Sequence, residues 1–259
     1  NGYGQKHTNN VDPMGWDGRK TALSKLKSWF KYNKNVCDGQ VPLQFEGRAP
    51  WMELAITEAT KAKGVKESEA PLFSMATSYH NYVGRTGNQA NPTKGDNAWC
   101  ASFASWVLGK SDYENPKTAG SRFFIDHSTL KKIETPIYGA IAVYSNCSSD
   151  GSNVKTSGHV NFVFGKLPKD YGGLSGDGIY ACLGGNQSNK LNAGVYDITG
   201  KVFKNGSVYK ICRGLYVPKN YDIKQIDYLT EQDQYENTAE ANKKLMNVEL
   251  NTTSNDSTL

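Results

Sequence analysis

The stretch Asp96-Asn97-Ala98-Trp99-Cys100-Ala101-Ser102-Phe103-Ala104-Ser105-Trp106-Val107-Leu108-Gly109 reads as one capped helix with a mostly buried body, stopped by its glycine. Asp96 and Asn97 suit the capping positions, which places Cys100 in the first turn. A helix this apolar needs a second layer to pack on. Downstream, Ile137 to Tyr144, Val160 to Phe164, Ile179 to Leu183, a weaker Gly194 to Ile198 and Val208 to Val217 are short runs rich in β-branched and aromatic residues, separated by Gly, Ser and Asn turns. Such runs predict an antiparallel sheet. Upstream, Pro50 before Trp51 and Gly64 after Lys63 frame a helix with Met52, Ala55, Ile56 and Ala59 on one side. A shorter helical segment covers Leu72 to Val83, and a polar loop runs from Gly84 to Asn97. Helices first and strands afterwards, without βαβ alternation, define an α+β class.

The rest of the chain divides around this block. Residues 1–49 hold an extended arm over 1–18, rich in Gly, Asn and Asp, and then a basic helix from Arg19 to about Lys34 on which Leu23, Leu26 and Phe30 recur at helical spacing. Asn10, Asp12 and Asp17-Gly18 are spaced like a calcium loop, but Met14 interrupts the ligands, so a plain turn is the expectation. Residues 50–220 form the main domain, and 221–259 are a polar appendage with a helix from Thr230 to Leu250. No run approaches the roughly 18 apolar residues of a membrane span. The net charge of +5 is modest, and its main cluster, Lys20, Lys25, Lys27, Lys31 and Lys34, reads as a solvated helix face compatible with an anionic polymer. Neither a nucleic-acid partner nor membrane insertion is expected.

The five cysteines, at 37, 100, 147, 182 and 212, include no C-x-x-C pair, so zinc and thioredoxin-type chemistry are not expected. With one as a nucleophile, the other four either form two disulfides or stay as buried thiols. No H-E-x-x-H, P-loop or dinucleotide fingerprint occurs, so neither metal nor cofactor is expected.

A thiol at a helix start becomes nucleophilic because the dipole and free amide groups favour the thiolate. An imidazole completes the activation by taking the proton and returning it to the leaving amine. Gly158-His159-Val160 sets a histidine at the beginning of a strand, where it can be aimed at the helix start. Leu183-Gly184-Gly185-Asn186-Gln187 then supplies an amide to orient the ring, from Asn186 or from Gln187, although taken alone it reads as a turn. His127, beside Asp126, is a reserve base. The Gly-rich segment from Tyr171 to Gly178 reads as a hairpin loop bordering a groove.

Four motifs in order, Asp96 to Phe103, Pro136-Ile137-Tyr138-Gly139-Ala140-Ile141-Ala142-Val143-Tyr144, Gly158-His159-Val160 and Gly184-Gly185-Asn186-Gln187, resemble the CHAP amidohydrolases, papain-like enzymes related to NlpC-type cell-wall peptidases. The resemblance covers about Pro50 to Val217. It implies a papain-like fold, with N-terminal helices packed on the sheet. It also implies Cys100 as nucleophile, His159 as general base and Asn186 as the residue orienting it, with Gln187 as the competitor. Many members carry an acidic residue near that third position, where this chain has Gly184 and Gly185. Trp99 and Gln187 are further candidates for binding or orienting substrate.

The implied substrate is peptidoglycan, cut at an amide bond by an enzyme secreted or delivered to the periplasm or cell wall. A lysin, an autolysin or an antibacterial effector fits, the last with an immunity protein as partner. A protein-directed cysteine peptidase or deamidase is the alternative enzyme, and a non-catalytic wall-binding module with a buried Cys100 is the alternative of another class.

Overall fold

The computed structural model describes residues 47–95 and 97–246. The arm, the basic helix, the calcium-like loop, Cys37 and Asp96 lie outside them. Among the described residues, four α-helices and a seven-stranded antiparallel sheet give an α+β fold.

The first helix, α1 (Trp51–Ala62), buries Trp51, Met52, Ala55, Ile56, Ala59 and Ala62, a stripe at helical spacing. It starts one residue after Pro50, whose fixed φ suits a helix entry. It ends on a left-handed Lys63 followed by Gly64. Helix α2 (Leu72–Tyr82) contributes the buried Leu72, Ala76, Tyr79 and His80. Helix α3 (Cys100–Lys110) is the central one, with Ala101, Phe103, Val107 and Leu108 fully buried. It runs through Gly109 rather than stopping there. The glycine serves a close approach instead, since a β-carbon would lie 1.8 Å from the Tyr82 hydroxyl of α2.

The strands are β1 (Leu130–Ile133), β2 (Ile141–Cys147), β3 (Gly158–Lys166), β4 (Ile179–Gln187), β5 (Lys190–Asp197), β6 (Val202–Asn205) and β7 (Val208–Pro218). β2 to β5 form a meander, β7 lies on the far side of β2, and β1 forms the edge beyond it. β7 pairs with β2 along one edge. Along the other it pairs with β6 at its first half and with β1 at its second. α3 packs on β3 and β4. The Tyr171–Gly178 segment lies in the connection between β3 and β4, as a hairpin loop should.

The segment after residue 220 is not an appendage. Two 3-10 turns, Gln225–Asp227 and Glu231–Asp233, precede helix α4 (Thr238–Met246), which is shorter than the expected Thr230 to Leu250 helix. Asp227 and Asp233 are fully buried. Arg48 donates to both carboxylate oxygens of Asp233, at 2.8 and 3.1 Å. The Ala49 N–H donates to Asp227 Oδ1. Polar composition suggested a solvated tail, but these polar groups spend their bonds inward, on the entry to α1. α4 is tied to β5 by Asn242, which accepts from the Ala193 N–H and donates to its carbonyl.

Candidate active site

Cys100 opens α3, as the sequence indicates, but Asn97 does not cap it. The residue before it, Trp99, occupies the cap position without a side-chain cap bond. Asn97 instead holds the preceding loop, donating to the carbonyls of Asn88 at 2.8 Å and Asn91 at 2.9 Å. A buried histidine does the fastening: His80 Nε2 lies 3.2 Å from the Asn97 carbonyl and Nδ1 lies 2.9 Å from the Ser102 hydroxyl. One ring therefore bridges the chain on both sides of Cys100. An Nε2–H tautomer satisfies both contacts, since the carbonyl can only accept.

The Cys100 side chain is 3% exposed. Burial pushes its thiol up, against main-chain hydrogen bonds from Val160 and Ala101 and the nearby Lys210 ammonium, all of which favour the thiolate. The resting group is therefore a neutral thiol.

His159 is the second residue of β3, opposite Tyr144 of β2. Its ring is stacked on Tyr196 of β5, with centroids 5.4 Å apart and planes 5° from parallel. Its Nε2 lies 3.1 Å from Gln187 Oε1. The orientation of that amide is set by its other bonds, because Gln187 Nε2 donates to the carbonyls of Cys182 and Asn192. Asn161 also donates to Oε1, at 3.1 Å. An acceptor thus faces His159, so the proton sits on Nε2 and the lone pair on Nδ1. That is the tautomer a general base needs. Burial foremost, and Lys210 next, push the ring down to about 3, while the Gln187 bond works the other way. Among the described residues, no hydrogen bond joins Cys100 to His159 directly.

The amide that meets His159 is that of Gln187, not that of Asn186. β4 bulges against β5 between Gly184 and Gln187, and Asn186 sits at φ 56° within the bulge. A bulge re-aims side chains by one residue, and here it turns the glutamine toward the histidine. Asn186 lines a neighbouring cavity, its amide making no side-chain hydrogen bond with any described residue.

Trp99 lies in the core. It is fully buried and donates to Glu67 Oε2 at 2.6 Å. Gly185 is where it packs, since a β-carbon there would come within 2.4 Å of the indole. The Gly-Gly pair lies within β4 rather than in the expected turn, and its reason is packing. His127 and Asp126 do not form the expected pair. The histidine contacts the Thr129 hydroxyl at 2.9 Å within its own turn, while Asp126 accepts from Tyr216.

Cys147, Cys182 and Cys212 are buried free thiols, so no disulfide forms among the described residues. No group of three or more His, Cys, Asp or Glu side chains there could hold a metal ion. No helix among them is long and apolar enough to cross a membrane.

A cavity of about 360 Å³ opens beside His159, lined by Asn186, Asn192, Tyr196, Asn205, Lys210 and Asn242 among others. The Tyr171–Gly178 loop contributes nothing to it, and neither does Cys100. Sequence reasoning missed His80, Asn161, Tyr196 and Lys210. Only Lys210 carried a signal, a cation inside the run from Val208 to Val217.

Comparison with protein-family models, with curated proteins and with solved structures found no match.

Proposed function

We propose that this protein is a cysteine-dependent amidohydrolase of papain-like design that cuts an amide bond of peptidoglycan. Cys100 attacks the carbonyl carbon while His159 Nδ1 takes the thiol proton. The tetrahedral intermediate collapses to a thioester as the proton passes to the leaving amine, and water then releases the acid and restores the thiol. Gln187 keeps the ring in the tautomer that makes this sequence work. The observation that carries the reading is the Gln187–His159 bond on β3 and β4, the two strands that support the Cys100 helix. The wall as substrate rests on the motif resemblance.

Burial of Cys100 favours one competing reading, a wall-binding module in which the thiol merely packs. Digesting purified peptidoglycan with the wild type and with Cys100→Ala, and analysing the soluble fragments by mass spectrometry, separates the two. Defined fragments released by the wild type alone are expected, and their masses identify the bond. Wall binding with no release by either protein sinks the hydrolase.

A further inference from the structure

Lys210 lies on β7 opposite Asn146 of β2 and is only 7% exposed. An ammonium has three donors. Of these, the hydrogen bonds among the described residues use one, to Asn146 Oδ1 at 2.9 Å. No carboxylate among those residues pairs with it. A buried charge without a counter-ion costs several kcal/mol in a typical interior. Every other residue lining the cavity is neutral apart from the weakly basic His159, and burial works against the ammonium while the nearby Cys100 and Cys147 favour it. Cys100 supplies no negative charge in the resting site, since burial keeps it a thiol. Among the described residues the ammonium thus has no carboxylate partner, and it lines a cavity that can admit one. Asn186 lines the same cavity with an uncommitted amide, held there by the β4 bulge.

We propose that Lys210 and Asn186 form a carboxylate-binding site beside His159, and that the ligand is a wall peptide carrying a free carboxylate close to the amide being cut. The peptide source rests on the function proposed above, whereas the carboxylate site rests on the cavity alone. In this arrangement the ammonium and the Asn186 N–H groups grip the carboxylate and hold the neighbouring amide at the His159 wall.

The test is an NMR titration of the full chain carrying Cys100→Ala with N-acetyl-D-alanine and with N-acetyl-D-alaninamide. A charge-assisted hydrogen bond predicts that the acid binds roughly tenfold or more tighter than the amide. Lys210→Arg should keep much of that preference, and Lys210→Gln should abolish it while leaving the weak amide binding in place. Equal binding of acid and amide overturns the proposal, as does binding of neither, or a preference that survives Lys210→Gln. If Lys210→Gln fails to fold, the acid-to-amide ratio in the Lys210 protein still decides. Preference for the acid without wall digestion keeps the carboxylate site and rejects the wall. Digestion without preference does the reverse.

Discussion

Gln187 holds His159 with its oxygen and the chain with its nitrogen, so truncating it has two consequences. The imidazole loses the acceptor that keeps its proton on Nε2, and two carbonyls lose their donors. Gln187→Ala is expected to cut kcat/KM on the wall about 100-fold, the lower end of what a general base contributes, with stability falling by roughly 1–3 kcal/mol. Asn186→Ala should leave kcat near wild type and act on KM, since its amide meets only the cavity. Steady-state kinetics on soluble wall fragments separates the two. The pH dependence of stability follows from His159. Its folded pKa of about 3 lies below the ordinary 6.5, so between these values the unfolded chain binds the extra proton. Stability from the neutral ring is complete above about 6.5 and is lost as pH falls toward 3, at up to ~1.4 kcal/mol per pH unit. Urea unfolding at stepped pH should show this slope in the wild type and a shallower one in His159→Phe.

Cys100 and His159 were legible because each depends on its own element, a helix start and a strand start. The choice between Asn186 and Gln187 was not, because a single bulge decides which neighbour faces the ring and nothing in Gly-Gly-Asn-Gln encodes its pairing with β5. The strands of the meander stood out by their β-branched and aromatic content. β1 and β6 escaped because Leu-Lys-Lys-Ile and Val-Phe-Lys-Asn are too short and too polar for that signal. Both pair only with β7, and lysines suit strands at a sheet margin. The β4 bulge and α3 meet at Gly185, where the indole of Trp99 occupies the space a β-carbon needs. Gly185→Ala therefore separates the helix that carries Cys100 from the strand that carries Gln187. A loss of about 1–3 kcal/mol is expected from overpacking, together with a fall in wall hydrolysis at temperatures where the variant remains folded. Wild-type activity in a variant of unchanged midpoint would count against this close approach.

Across the whole molecule, the main surprise is where the polar C-terminal segment goes. Its acids looked like solvated charges, and only the tertiary structure shows Asp233 meeting Arg48 through a buried two-pronged contact, with the guanidinium 4.3 Å above the Tyr138 ring. Removing one partner strands the other in the interior, so Asp233→Ala should cost roughly 3–5 kcal/mol in urea unfolding, against little for Glu236→Ala on the surface. The helical layer, the sheet and their order were open to sequence reading because periodicity is a local property. The Arg48–Asp233 contact spans 185 positions and was not. That separation also sets a timetable for synthesis. A ribosome adding about 5–20 residues each second needs roughly 10–40 s after placing Arg48 to reach Asp233. Until then the first helix lacks its anchor, so the helical layer that carries Cys100 is secured only near the end of synthesis.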